Sequence, residues 1–170
     1  MTRAVRVASA QETKRLAARL GRLAQAGDII GLMGDLGAGK TCFVQGLATG
    51  LGVPREERVA SPTFNIVLTH PGRLPLVHID LYRLGSEGEL AELGLSQLLE
   101  EGAVGAVEWL DRFPDVAPAD RIDVYIAVDG PRARTITATS RGPRSEALLT
   151  SWISPDRPRT QRPRRGASAR

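Results

Sequence analysis

Eight consecutive residues, Gly34-Asp-Leu-Gly-Ala-Gly-Lys-Thr41, place three glycines, a lysine and a hydroxyl at the spacing G-x-x-x-x-G-K-[ST]. That pattern is suited to holding phosphate. Glycines let the backbone curl until successive N–H groups point inward at phosphate oxygens, where side chains would block the approach. Lys40 can then reach the outer phosphates of a nucleoside triphosphate, and the Thr41 hydroxyl can ligate Mg²⁺. The candidate nucleotide-binding residues are Asp35, Gly37, Ala38, Gly39, Lys40, Thr41 and Cys42. Cys42 has two readings, a thiol activated by a helix N-terminus or a small residue packed in the first helical turn, and packing is favoured.

A phosphate loop also needs a carboxylate near Mg²⁺ and a group that orients the nucleophile. Glu108 ends the apolar run Ala-Val-Gly-Ala-Val, where a metal-binding carboxylate belongs if that strand lies beside the one leading into the loop. The alternative is an ordinary strand-end glutamate. In His78-Ile-Asp-Leu-Tyr82, alternation puts His78, Asp80 and Tyr82 on one face, so three polar groups can converge. His78 and Tyr82 are equally readable as structural, but an aspartate flanked by Ile79 and Leu81 must have a partner if it is buried. Asp80 is therefore the candidate catalytic acid, together with Lys40. Thr63, in Ser-Pro-Thr-Phe64, stands where a nucleotide-sensing loop would approach Mg²⁺ or the γ-phosphate, although Ser-Pro-Thr is also a plain turn.

These residues need elements to position them. Residues 28–33 are a continuous apolar run too short for a helix, which predicts a buried parallel strand feeding the glycine loop. A helix is expected from about 40 to 51, closed by Gly50 and Gly52. Upstream, Val5 and Val7 alternate in a short strand, and Ser9-x-x-Glu12 opens an amphipathic helix carrying Leu16, Leu20 and Leu23. A hairpin is expected over 65–69 and 74–80, short helices over 86–93 and 96–101, and a strand over 103–108. Ile122, Val124, Ile126 and Val128 alternate, a turn follows, and 135–139 alternates back before a last helix over about 144–152. The expected fold is α/β, a single P-loop NTPase-like domain over 1–153 with a mixed parallel/antiparallel sheet flanked by helices. Residues 154–170, rich in Arg and Pro, read as a disordered tail.

Composition narrows the function classes. With 170 residues, 42% apolar and 25% charged, the chain can bury one sizeable core without staples. Its single cysteine excludes an intrachain disulfide and suits a reducing cytoplasm. The apolar runs fall far short of the ~20 residues of a membrane span, so no membrane partner is expected. The net charge of +4 comes from the tail, which holds six Arg against one Asp, so the body is not a basic nucleic-acid-binding domain.

GDLGAGKT at 34–41, SPTF at 61–64, HIDLYRL at 78–84 and VEW at 107–109 together resemble the small bacterial P-loop ATPases of tRNA threonylcarbamoyladenosine biosynthesis, the TsaE or YjeE family. The resemblance spans about residues 5–140. It implies ATP and Mg²⁺ as ligands, Lys40 on phosphate, Thr41 and Glu108 on Mg²⁺, Asp80 as an aspartate needed for activity, and Thr13 near the adenine. The implied function is ATP hydrolysis to ADP and phosphate, required for tRNA modification. The implied partners are the threonylcarbamoyl-transferase subunit and its inactive paralogue, with tRNA met indirectly. Cys42 stands where many relatives have a second threonine, and the Arg-rich tail has no counterpart in the family. The other readings are a small-molecule P-loop kinase and an interaction module gated by nucleotide binding alone.

Overall fold

The apolar run leading into the glycine loop forms the central strand of a sheet, with Ile29, Ile30 and Leu32 all buried. A computed structural model of the chain describes residues 1–62, 64–86, 88–89 and 102–154. Among these are strands β1 (Thr2–Val7), β2 (Ile29–Met33), β3 (Val67–His70), β4 (Leu76–Asp80), β5 (Val104–Glu108), β6 (Ile122–Val128) and β7 (Arg134–Ser140). The helices among them are α1 (Ala10–Leu23), α2 (Lys40–Gly50) and α3 (Pro143–Ile153). The strands form one sheet in the order β1-β7-β6-β2-β5-β4-β3. Its inner strands β6, β2, β5 and β4 are mutually parallel, and both flanks are completed by antiparallel pairing. The mixed sheet expected from the alternating and non-alternating apolar runs is the one observed.

Alternation along the strands divides the core. Ile30, Leu32, Val104, Ala106, Val124 and Ile126 face α1, α2 and α3, while Ile29, Val77, Ile79 and Val107 face the opposite side. There the short 3₁₀ turns Leu110–Arg112 and Pro114–Val116 cover the sheet. Gly31 lies against this layer, and a Cβ on it would collide with the Leu110 side chain. The helices expected over 86–93 and 96–101 fall mainly, and the tail beyond 154 entirely, outside the described residues.

The helical layer is held by direct backbone approach. Cβ atoms on Gly21 of α1 and on Gly46 and Gly50 of α2 would collide with the carbonyl oxygens of Leu47, Lys14 and Ala18 respectively. Gly50 is thus a packing residue in the last helical turn and not the expected cap. The cap role falls to Gly52, at φ +77°, in the left-handed region that only glycine occupies without strain. Ser9 caps α1 by accepting from the Glu12 amide at 3.2 Å, while the Glu12 carboxylate reaches past it to the Ala8 amide at 2.7 Å. Trp152 of α3 is fully buried, stands edge-on to Phe43 of α2 at 5.9 Å, and donates its indole N–H to Leu16 O of α1 at 2.8 Å.

The two glycines at the end of α2 should therefore differ in cost. Gly50→Val forces a side chain into a backbone contact and is expected to destabilise by about 3 kcal/mol, whereas Gly52→Ala meets only the left-handed penalty of about 1 kcal/mol. Urea unfolding of the two variants measures both, and the reverse order would return Gly50 to the capping role.

Candidate functional site

Parallel strands deliver their C-terminal ends to one edge of the sheet, and ligands of open α/β sheets bind along that edge. Here β2 runs into the glycine loop, β4 ends on Asp80 and β5 ends on Glu108. Asp80 and Glu108 are register partners across the β4–β5 pair, and Glu108 also pairs with Leu32 of β2. The condition set for Glu108, that its strand lie beside the one feeding the loop, is met.

Gly34, Gly37 and Gly39 all have positive φ, at +132°, +76° and +114°, so the loop takes the curled course that only a glycine-rich stretch follows freely. It ends as Gly39 caps α2, aiming the first amides of that helix into the curl. Lys40 is 5% exposed, and its Nζ donates to the carbonyls of Gly34 at 2.7 Å and Asp35 at 2.9 Å. The same ammonium lies 3.6 Å from the ring centroid of Trp109. Burial pushes its pKa down, opposed by the charges of Glu108, Asp111, Asp80 and Asp35.

The Thr41 hydroxyl donates to both carboxylate oxygens of Glu108, at 2.9 and 3.1 Å. His78, fully buried, meets Glu108 Oε1 through Nε2 at 2.8 Å. Asp80 is 4% exposed, accepting from the Ser61 hydroxyl at Oδ2 and from the Tyr82 amide at Oδ1, the latter at 2.9 Å. Tyr82 lies beyond the strand end, partly exposed, with its ring 5.0 Å from that of Trp109. The expected convergence therefore holds for His78 and Asp80, while Tyr82 contributes a backbone N–H and an aromatic rim. Thr63 lies outside the described residues.

The side chains of Lys40, Thr41, Asp80 and Glu108 line one cleft of about 330 Å³ with Leu36 and Trp109. A second cleft of about 450 Å³ adjoins it across Gly39 and Cys42, bounded by Thr13, Ala38, Arg132 and Arg134. Thr13 thus lines this second cleft, its hydroxyl directed to Ser9 O at 3.4 Å. Burial pushes the Cys42 thiol pKa up, and its Sγ rests 3.6 Å from Ala10 O, which supports the packing reading over an activated thiolate.

Three residues of the site escaped the sequence. Trp109 takes φ +62°, and its amide donates to Leu32 O at 2.8 Å, so the chain turns sharply there and sets the indole beside Lys40. Arg134, at the start of β7, donates through Nε to Ala38 O at 2.7 Å and braces the loop from far along the chain. Ser61 holds Asp80. Only Trp109 had a local signal, its position directly after Glu108.

The donor set suits Mg²⁺ and a polyphosphate. A hydroxyl and a carboxylate are hard oxygen ligands, and Mg²⁺ is commonly held by one or two such groups plus waters and phosphate oxygens. Among the described residues no group of three or more His, Cys, Asp or Glu gathers around a common point, as a dedicated all-protein metal cage would require.

Comparison with known proteins agrees with this geometry. Residues 7–136 match the family model described as threonylcarbamoyl adenosine biosynthesis protein TsaE. The tRNA threonylcarbamoyladenosine biosynthesis protein TsaE of Bacillus subtilis is 41% identical over 144 residues, covering 84% of this chain and 89% of its own length. The protein of the same name from Treponema pallidum is 39% identical over 130 residues, covering 75% and 95%. A crystal structure of Bacillus subtilis YdiB superposes with a TM-score of 0.77 at 35% identity, over 89% of this chain and 94% of that one. The chain belongs to the TsaE family.

Proposed function

We propose that this chain is a Mg²⁺-dependent ATPase of tRNA N6-threonylcarbamoyladenosine synthesis, hydrolysing ATP to ADP and phosphate within a complex containing the threonylcarbamoyl-transferase subunit and its inactive paralogue. Residues 1–153 form the ATPase domain, 154–170 are an Arg- and Pro-rich tail, and the protein works in the cytoplasm. No helix among the described residues is long and apolar enough to cross a membrane. One observation carries the reading: Asp80 and Glu108 end neighbouring strands in register, and Glu108 already holds the hydroxyl of the loop threonine. The names of the family and its relatives supply the place in tRNA modification.

Thr41 and Glu108 would hold Mg²⁺, with Thr63 a further candidate contact. The chemistry the ion would supply there is neutralisation of phosphate charge. The backbone amides of Asp35, Gly37, Gly39, Lys40, Thr41 and Cys42 would donate to phosphate, while that of Ala38 closes the loop on Asp35 O at 3.0 Å, and Lys40 would bring its ammonium to the outer end of the chain of phosphates. Asp80 accepts from the Ser61 hydroxyl and the Tyr82 amide, and a carboxylate so held is a fixed acceptor. Such a group orients an attacking water by accepting its hydrogen. Trp109 and Tyr82 cover the outer side with apolar surface, which strengthens each of these interactions by excluding solvent. Thr13 and the second cleft take the nucleoside. Arg83 stacks on Phe64 at 4.4 Å. In this arrangement a cation completing the transition state comes from a partner, as in other trans-activated NTPases.

Lys40→Ala should weaken nucleotide binding about tenfold or more by calorimetry, the loss of a charge-assisted contact. Asp80→Ala should retain ATP binding while hydrolysis falls by roughly 10²–10⁴, and cells carrying only that variant should lose threonylcarbamoyladenosine from their tRNA. Normal modification by the Asp80 variant would favour the binding-only module. The isolated chain should hydrolyse ATP slowly and be accelerated on mixing with the transferase pair. Partners that neither bind its ATP form nor alter its turnover would overturn the assignment.

A further inference from the structure

Glu108 is buried, and its orientation is set from two sides. Thr41 approaches from α2, and His78 approaches from β4 with Nε2 2.8 Å from Oε1. An ionised carboxylate can only accept, so His78 is the donor and carries its hydrogen on Nε2. The register explains the reach: His78 lies opposite Ala106 and Glu108 lies opposite Asp80, so His78 and Glu108 are diagonal neighbours on one face. The small Ala106 side chain leaves room for the imidazole to cross. Both donors converge on Oε1, while Oε2 receives only the longer Thr41 contact, at 3.1 Å. Oε2 is thus the oxygen with acceptor capacity to spare.

The face behind His78 is closed as well. His78 Nδ1 is buried without a partner among the described residues, and so is Nε2 of His70, whose ring lies 6.3 Å away on the same face of the β3–β4 pair. A water between the rings would satisfy both nitrogens, consistent with the rule that buried polar atoms are seldom left bare. With a hydrogen on Nε2, Nδ1 is an acceptor, and a donor behind it would hold that tautomer.

We propose that His78 is a positioning residue for the metal site: by bonding Oε1 it fixes the Glu108 carboxylate so that Oε2 faces the cation. The proposal rests on the reading that Thr41 and Glu108 hold Mg²⁺. A hydrogen-bonding partner behind a ligand commonly governs metal affinity by a factor of about 10–100.

The test uses the full chain and measures binding of a non-hydrolysable ATP analogue by calorimetry across a Mg²⁺ titration, so the readout does not depend on turnover. His78→Leu should raise the half-saturating Mg²⁺ concentration about tenfold or more while leaving analogue affinity without Mg²⁺ unchanged. His78→Gln, whose side-chain amide N–H can take the place of Nε2–H, should restore most of the Mg²⁺ response. If the leucine variant fails to fold, His78→Asn, whose shorter amide does not reach Glu108, takes its place. Glu108→Ala serves as the reference. Should Glu108→Ala shift the Mg²⁺ requirement and the loss of His78 leave it unchanged, His78 has no positioning role and the metal assignment stands. A glutamine variant as impaired as the leucine one would also overturn the proposal. A Mg²⁺ requirement unmoved in Glu108→Ala itself would remove the underlying reading.

Discussion

Two carboxylates buried side by side at the ends of adjacent strands are the costliest feature of this molecule. Like charges in a medium less polar than water repel strongly. Donors from separate parts of the chain oppose this. Asp80 is held by the Ser61 hydroxyl and the Tyr82 amide, and Glu108 by Thr41 and His78. Lys40, buried next to them, carries a compensating charge, and the same carboxylates oppose the desolvation that lowers its pKa. With β5 between β2 and β4, the lysine, the hydroxyl and both acids meet at one edge of the sheet.

Much of this was legible because the chemistry depends on short stretches with strict local requirements. A curled anion cradle needs glycine at particular places, and Gly34, Gly37 and Gly39 all take the positive φ that such a curl requires. Continuous apolar runs mark strands covered on both faces, so β2 and β5 could be recognised from composition alone and Glu108 placed at a strand end. Alternation likewise set His78 and Asp80 on one face. Tyr82 broke the pattern because the chain turns immediately after Asp80, where the Arg112 guanidinium bonds the carbonyls of Leu81 and Tyr82.

What escaped was contact between distant stretches. Nothing around Arg134 says that its guanidinium will brace Ala38 O, since strand pairing alone brings the two together. Ser61 looked like part of a turn, and its bond to Asp80 exists only because the segment before β3 folds back over the end of β4. Gly50 carried a misleading local signal. A glycine near a helix end ordinarily reports a cap, yet here the missing side chain serves a neighbouring helix.

That glycine seam also bears on how the protein can move. Because α1 and α2 touch through main-chain atoms at Gly21, Gly46 and Gly50, they have no layer of rotamers between them to absorb sliding or rotation. Thr13 rides on one of these helices and Lys40 and Thr41 begin the other, so the walls that the two helices give to the two clefts behave as a single stiff piece. Rearrangement of the cleft is then left to the opposite bank, where Ser61, Phe64 and Tyr82 sit on irregular backbone.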